Sequence, residues 1–511
     1  MMVARTLSVA LLGMTGAVVE VEAHIADAIP GFQLIGLPDA ALSDAKDRVR
    51  AAAANDGCAL PAKKIVVNLS PASLPKQGSA YDLAIAVAVL AAEGVIPTAA
   101  IESVVHLGEL SLDGRVRPMQ GVLPAIVAAR AAGYRRFVVP AGNAGEANLV
   151  PDVEICTVAS LRDALIRHGA SLEPVDVDPL RSPAPLPPEL PDGDLADVVG
   201  NPDAVEALVV AAAGGHHLMM LGPPGAGKTM LAHRLPALLP DLDAEQSLVV
   251  TSISSLAGRP LNGLISRPPL ESPHHTSSAA ALVGGGSKVI RPGAAARAAH
   301  GILFLDEAPE FPASVLDALR QPLESGTISI HRASATAHFP GRFQLVLAAN
   351  PCPCGQFGAR DIACTCTPMA RRRYLGRLSG PLLDRVDLQL RVNRVTTSAV
   401  RMTADDRPRT TTAVARARVE QARAVARDRL AATAWKTNSE VPGVWFRSAK
   451  RRLAPAVSAP IDRALERGSL TMRGYDRVLR VAWTLADLDG ATSPNGDHVG
   501  WALYLRKSVA S

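Results

Sequence analysis

The spacing of apolar positions changes several times along the 511 residues. Residues 7–19 are mostly apolar, but Gly13, Thr15 and Gly16 break the run. Residues 19–23 continue it with strict apolar–polar alternation, the pattern of a strand with one buried face. Short apolar runs then alternate with alanine-rich stretches. Residues 32–37, 64–68, 104–112 and 137–140 predict strands, and 39–55, 81–93 and 123–132 predict helices, which makes residues 1–168 an α/β domain with its own core. Residues 169–193 follow as a linker, with proline and acidic residues crowded into 171–193. Residues 194–392 return to the α/β pattern, with apolar strands at 218–221, 302–305 and 343–349 that read as a parallel sheet buried on both faces. Among them, 201–213, 230–239 and 314–326 predict helices, and 327–333 with 336–339 a polar hairpin. Residues 393–511 read as helical, with helices expected at 410–434 and 470–488.

Composition narrows the class. Apolar residues make up 48% and charged residues 20%, a globular balance rather than a disordered one. The length exceeds what one hydrophobic core fills, in keeping with these divisions. A formal charge of +5 permits an acidic partner such as nucleic acid without requiring one. No run of 18 apolar residues predicts a membrane span. The breaks in 7–19, with no A-x-A site after them, argue against an export leader. Six cysteines, four of them clustered, do not form a disulfide framework, so the expected compartment is the reducing cytoplasm.

The candidate chemistry begins at 218–221, which runs into Gly222, Pro223, Pro224, Gly225, Ala226, Gly227, Lys228 and Thr229 and fits the phosphate-loop pattern at every fixed position. The glycines let successive N–H groups face one anion, and the following helix puts its positive end behind that anion. Lys228 is placed to reach the β- and γ-phosphates of ATP, and the Thr229 hydroxyl to ligate Mg²⁺. Asp306 and Glu307 leave the C-terminal end of a buried strand, where an open parallel sheet binds ligands. Asp306 is the candidate holder of the Mg²⁺ water shell, and Glu307 the candidate base that polarises the attacking water. Between Thr229 and Asp306 there is room for an insertion containing His274 and His275, for which a structural or loop role is expected. Cys352, Cys354, Cys364 and Cys366 form two C-x-C pairs within 351–367. Four thiolates on two tight knuckles suit a tetrahedral structural Zn²⁺; two disulfides, or reduced thiols without metal, are the competing readings.

The stretches GFQLIGLPDAALSDAKDRVRAA, VNLSPASLPKQGSAYDLAIAVAVLAA, GELSLDGRVRPMQGVLPAIVAARAAG and PHHTSSAAALVGGGSKVIRPG resemble the ComM/YifB proteins, which are magnesium-chelatase-like ATPases. The resemblance covers nearly the whole chain outside the linker. It implies a Lon-protease-like α/β domain, then an AAA+ parallel-sheet core with a small cysteine knuckle, then a helical lid. The first domain is expected to be inert as a peptidase. Ala80 stands where Lon-type proteases carry the nucleophilic serine, Leu123 where they carry the lysine, and Ser79 is one place off.

In the core the resemblance makes Asn350 the sensor that orients the attacking water. It puts the hairpin with His331 and Arg332 at a ring pore, an ordinary solvated hairpin being the alternative. Arg385, in SGPLLDRVDL, corresponds to the arginine that a ring presents to its neighbour's γ-phosphate, against an intramolecular pair with Asp384 or Asp387. Arg473 corresponds to a second sensor that contacts phosphate from the lid, and Trp483 stands where the family usually has arginine. Arg416, Arg418, Arg423, Arg427 and Arg429 fall on no single face, and a solvated helix is expected there rather than a nucleic-acid contact. The resemblance implies a homo-oligomer, a hexamer, that hydrolyses ATP and acts on DNA away from any membrane. Its work would be that of a helicase driving branch migration in transformation and recombination. The alternative is a chelatase-type motor subunit that remodels a protein partner.

Overall fold

In the computed structural model, which describes residues 3–36, 39–76, 78–180, 193–286, 290–332, 336–358, 364–395 and 409–506, the apolar start of the chain is an antiparallel hairpin. Val3–Leu12 (β1) pairs with Thr15–Ala26 (β2), and Leu12 lies opposite Thr15, so the break at Gly13 is the turn. The alternation in β2 buries Val19, Val21, Ala23 and Ile25. Gly31–Ile35 (β3), Lys64–Ser70 (β4), Val104–His106 (β5), Arg136–Pro140 (β6) and Glu154–Val158 (β7) extend it to seven strands in the order β3-β4-β2-β1-β5-β6-β7. Ala45–Asn55 (α1), Asp82–Glu93 (α2), Val122–Ala131 (α3) and Leu161–Arg167 (α4) accompany this sheet, and α2 is buried at every position but Glu93.

Three expected elements are broken, the first being the helix expected at 39–55, which is two, Ala40–Ser43 and Ala45–Asn55. The strand expected at 104–112 ends at His106. A side chain on Gly108 would meet Val116, and Glu109–Leu110 turns away to pair with Val116–Arg117. The helix expected at 314–326 is two short ones, Ala313–Asp317 and Arg320–Ser325; Pro322, with no N–H, cannot continue a single helix. Position 37 of an expected strand, 181–192 of the linker, the hairpin tip at 333–335 and 359–363 between the cysteine pairs lie outside the described residues.

The second sheet uses Leu218–Leu221 (β8), Leu270–Glu271 (β9) and Ile302–Leu305 (β10). After a separate hairpin of Thr327–His331 (β11) and Thr336–Pro340 (β12), it adds Gln344–Ala349 (β13) and Leu388–Arg391 (β14). All five strands run parallel in the order β9-β10-β13-β8-β14, and β8, β10 and β13 are buried at every position. That arrangement delivers the C-terminal ends of β8, β10 and β13 side by side at one edge. Pro202–Gly214 (α5), Lys228–Leu238 (α6), Ala244–Leu256 (α7) and Pro368–Leu375 (α8) belong to this core. Thr412–Leu430 (α9), Pro455–Glu466 (α10), Met472–Leu488 (α11) and Gly496–Tyr504 (α12) form the C-terminal helical region, and α9 and α11 share a hydrophobic core with α5 and α6. No helix among the described residues is long and apolar enough to cross a membrane.

The arginines of α9 are not a solvated face. Arg416 pairs with Asp241 at 2.9 Å, Arg418 with Glu206 at 2.7 Å, and Arg423 donates to the Ala212 carbonyl at 2.6 Å near the end of α5. Arg429 clasps Asp487 and lies over the Trp483 ring, 4.7 Å from its centroid, while Trp483 stacks on Phe446. Four of the five therefore tie α9 to the core or to α11; the carboxylates that pair with them come from different elements, which is why they follow no single face. The N-terminal domain in turn rests on the core. The β1–β2 turn meets β12, where Met14 N donates to the His338 carbonyl at 3.2 Å, and Ser255 of α7 donates to the Glu146 carboxylate. Gly13, at φ +62°, could carry no side chain there, since a Cβ would lie 2.8 Å from the His338 oxygen.

Candidate nucleotide-binding site

β8 ends at Leu221 and α6 begins at Lys228, so Gly222–Gly227 forms a tight loop between a buried strand and a helix N-terminus. Each glycine has a local reason. A Cβ on Gly222 would lie 2.2 Å from the Val392 carbonyl oxygen, and Gly225 and Gly227 adopt φ +76° and +91°. Lys228 folds back over the loop, and its Nζ donates to the carbonyls of Gly222 (2.6 Å) and Pro223 (3.0 Å) and to Asn350 Oδ1 (3.0 Å). Burial pushes its ammonium below the ordinary value, and the Asp306 and Glu307 carboxylates draw it part of the way back. The structure thus brings together the loop, Lys228 and Asn350 at the end of β13.

Thr229 Oγ1 donates to Asp306 Oδ2 at 2.7 Å, and Asp306 Oδ1 accepts the Glu307 N–H at 2.9 Å. A hydroxyl and a carboxylate in contact are the hard oxygen donors that Mg²⁺ takes, so these residues fit that ion. Glu307 has φ +49°, which is uncommon for a non-glycine residue. That carboxylate has a partner the sequence reading missed: His275 Nδ1 lies 3.3 Å from Glu307 Oε2, with the His274 ring 4.1 Å from the His275 ring. The pair lies in a loop, as expected, with His274 bonded to Thr276 Oγ1 at 2.9 Å, and His275 adds a contact with the candidate base. The signal lay in strand order, since β9 and β10 are parallel neighbours and the loops that leave them emerge together.

Arg385 and Arg473 line a different cavity, of about 1120 Å³, between the core and the C-terminal helices; none of Gly222–Thr229, Asp306, Glu307 or Asn350 lines it. Arg385 is nearly buried and donates to the Glu324 carboxylate and the Pro381 carbonyl, not to Asp384 or Asp387. Burial and the neighbouring charges of Arg320, Arg473 and Arg477 lower its pKa. Asp387 instead takes Arg477 of α11 at 2.7 Å; burial pushes its carboxyl up, but Arg477 and His216 hold it well below the usual range. This ion pair fixes α11, and with it Arg473, against the segment that carries Arg385.

Cys352, Cys354, Cys364 and Cys366 converge after β13. Their sulfurs all lie within 4.8 Å of one another, with Cys352–Cys354 at 3.4 Å and Cys364 at 3.7 Å from both. All are free thiols, so the two-disulfide reading is not what forms. A tetrahedron of sulfurs about 2.3 Å from a Zn²⁺ has edges of roughly 3.8 Å, so the residues fit that ion. Burial pushes the Cys352 thiol up, while the Gln356 N–H favours the thiolate of Cys354.

Three family descriptions match in succession: subunit ChlI of Mg-chelatase at residues 21–143, magnesium chelatase subunit ChlI at 194–400, and its C-terminal part at 409–506. The chain is 39% identical to competence protein ComM of Haemophilus influenzae, over all of this chain and 98% of that one. It is 38% identical to YifB of Escherichia coli over 97% of this chain and 96% of that one. The chain belongs to the ComM/YifB family of magnesium-chelatase-like proteins. It is accordingly an AAA+-type ATPase of the ComM family, and that family implies ATP and Mg²⁺.

This ComM/YifB protein is also 30% identical over 155 residues to the Lon protease of Rhizobium meliloti, a match covering 29% of this chain and 19% of that one. Ala80, the residue that the resemblance sets at the nucleophile position, has a methyl side chain that cannot attack a carbonyl. Ser79 beside it donates to Glu109, and Leu123 is fully buried in the core. The fully buried Lys76 directs its Nζ to the Leu69 and Pro71 carbonyls. Among the described residues no serine–lysine pair is formed at these positions.

Proposed function

We propose that the protein is a ring-forming ATPase whose catalytic site is completed by the adjacent subunit, and that the ring works on DNA. The observation that carries the first part is the separation of Arg385 and Arg473 from the phosphate loop. Two arginines that line one cavity, neither at its own loop, suit a shared wall presented to the nucleotide of a second copy. Lys228 would exchange the carbonyls of Gly222 and Pro223 for phosphate oxygens. Asn350, released from Lys228, would orient the attacking water, and Glu307 would accept its proton. Thr229 and Asp306 would hold Mg²⁺, which neutralises charge on the β- and γ-phosphates. Closing such a site requires a homo-oligomer, and a hexamer is the state the family resemblance implies.

The DNA reading rests on the full-length similarity to a protein named for competence and on the basic balance of the chain. ATP turnover is expected to rise with added DNA, most on branched DNA, and to lose that stimulation as salt rises. Turnover should be measured against single-stranded, duplex and branched DNA across a salt series. No response to any DNA would move the assignment to a chelatase-type motor that remodels a protein.

The cysteine knuckle is proposed to hold one structural Zn²⁺. Elemental analysis of the purified protein is expected to find about one zinc per chain, and Cys354→Ser with Cys366→Ser to remove it and lower the melting temperature. Metal-free protein with an unchanged melting temperature would exclude a structural role.

A further inference from the structure

The knuckle runs into a short segment whose charge stands out. Residues 364–377 carry four arginines and no acidic residue, in a chain whose net charge is only +5. Thr367 caps α8 by accepting the Ala370 N–H, and the helix then presents Arg371, Arg372 and Arg373 in succession. Arg377 is exposed but already paired, with the Pro309 carbonyl at 2.9 Å and Glu310 at 3.2 Å. Arg372 and Arg373 are exposed, and among the described residues neither has an ion-pair partner. Arg371 lies over the ring of Phe357, 3.9 Å from its centroid, and Phe357 is itself 48% exposed. Like charges on adjacent residues repel, and an exposed aromatic ring is costly in water. Together they make a face that favours a polyanion with flat apolar groups.

We propose that this face, built from Phe357, Arg371, Arg372 and Arg373, is a landing surface for the sugar–phosphate backbone of nucleic acid. The inference rests on the DNA reading above and names the surface that reading lacks. Two contacts join the surface to the nucleotide site. Arg377, just past the end of α8, donates to the carbonyl of Pro309, two residues beyond Glu307, and Tyr374, next to Arg373, is buried. From the other end of the knuckle, Gly355 packs on the phosphate loop so closely that a Cβ would lie 2.5 Å from Pro224 Cδ. A phosphate drawn onto Arg372 and Arg373 therefore pulls on a helix and a loop that both end at the catalytic residues. This gives nucleic acid a short physical route to the rate of hydrolysis.

The test is the full-length Arg372→Ala/Arg373→Ala protein, titrated with fluorescently labelled single-stranded and duplex DNA over a salt series, with ATP turnover measured alongside. Loss of two phosphate contacts is expected to reduce the slope of log K against log salt by about 1.4 on single strands and about 1.8 on duplex. DNA-stimulated turnover should fall towards the basal rate. Turnover without DNA, melting temperature and oligomeric state should be unchanged, because neither side chain touches the nucleotide site or the core. Arg372→Glu/Arg373→Glu should deepen the same loss. Parent-like affinity and slope in both variants would overturn the surface while leaving the DNA reading intact. An unmodified protein that binds no DNA would overturn both. Loss of ring assembly with DNA affinity per ring preserved would overturn the surface in favour of a contact between subunits.

Discussion

Glu307→Gln is expected to bind ATP as the parent does and to hydrolyse it about 10²–10⁴-fold more slowly. The amide keeps the size and one oxygen of the carboxylate but cannot accept the proton from water. Nothing proposed to hold phosphate is touched, because Lys228 and the loop amides are the proposed nucleotide contacts and Thr229 with Asp306 the proposed Mg²⁺ pair. The left-handed backbone at Glu307 costs glutamine no more than glutamate, so the fold should not move. His275→Ala makes the informative comparison. It removes a partner of the carboxylate while leaving the base, and the pair is half exposed, so turnover should stay within about fivefold of the parent. Binding of a fluorescent ATP analogue and single-turnover hydrolysis separate the two effects. Turnover of Glu307→Gln within tenfold of the parent would show that the base lies elsewhere.

What could be read before the fold was known follows from the range of the forces involved. The phosphate loop was legible because strand, glycine turn and helix start are contiguous, and each glycine answers a clash or a positive φ within the loop or with its neighbour strand. Asp306 and Glu307 were legible for the same reason, being the first polar residues after four buried apolar ones. The four cysteines were grouped by spacing alone, and their sulfurs do converge. Contacts set by strand order were not legible. His275 reaches Glu307 only because β9 lies beside β10, and periodicity along either segment carries no trace of that. The arginines of α9 failed as a helical face because each answers a carboxylate or carbonyl on a different element. The N-terminal apolar run yielded a strand but not its destination, a hairpin whose turn docks on β12 of the other domain.

The second large effect is expected at Arg385. Arg385→Ala should keep nucleotide binding and lose about 10³–10⁵ in turnover, the range that a transition-state arginine supplies. Its present partner makes the variant tolerable to the fold. Glu324 is 60% exposed, so leaving it unpaired costs about 1 kcal/mol or less. A purely structural arginine would therefore show parent-like turnover, and a catalytic one would not. The decisive form of the experiment mixes Arg385→Ala with Glu307→Gln subunits. Each is inactive alone, but where the intact Glu307 of one meets the intact Arg385 of the other, a working site is rebuilt and turnover returns. Arg473→Ala should be rescued by Glu307→Gln in the same way, because Arg473 lines the same cavity as Arg385. Were Arg473 instead to fold onto its own phosphate loop, every site in that mixture would lack either the base or the lid arginine, and no turnover would return. Rescue of Arg385→Ala without rescue of Arg473→Ala would thus leave the core arginine acting across the interface and return the lid arginine to its own subunit. Failure of both, in rings shown to be mixed, would rule out a shared site.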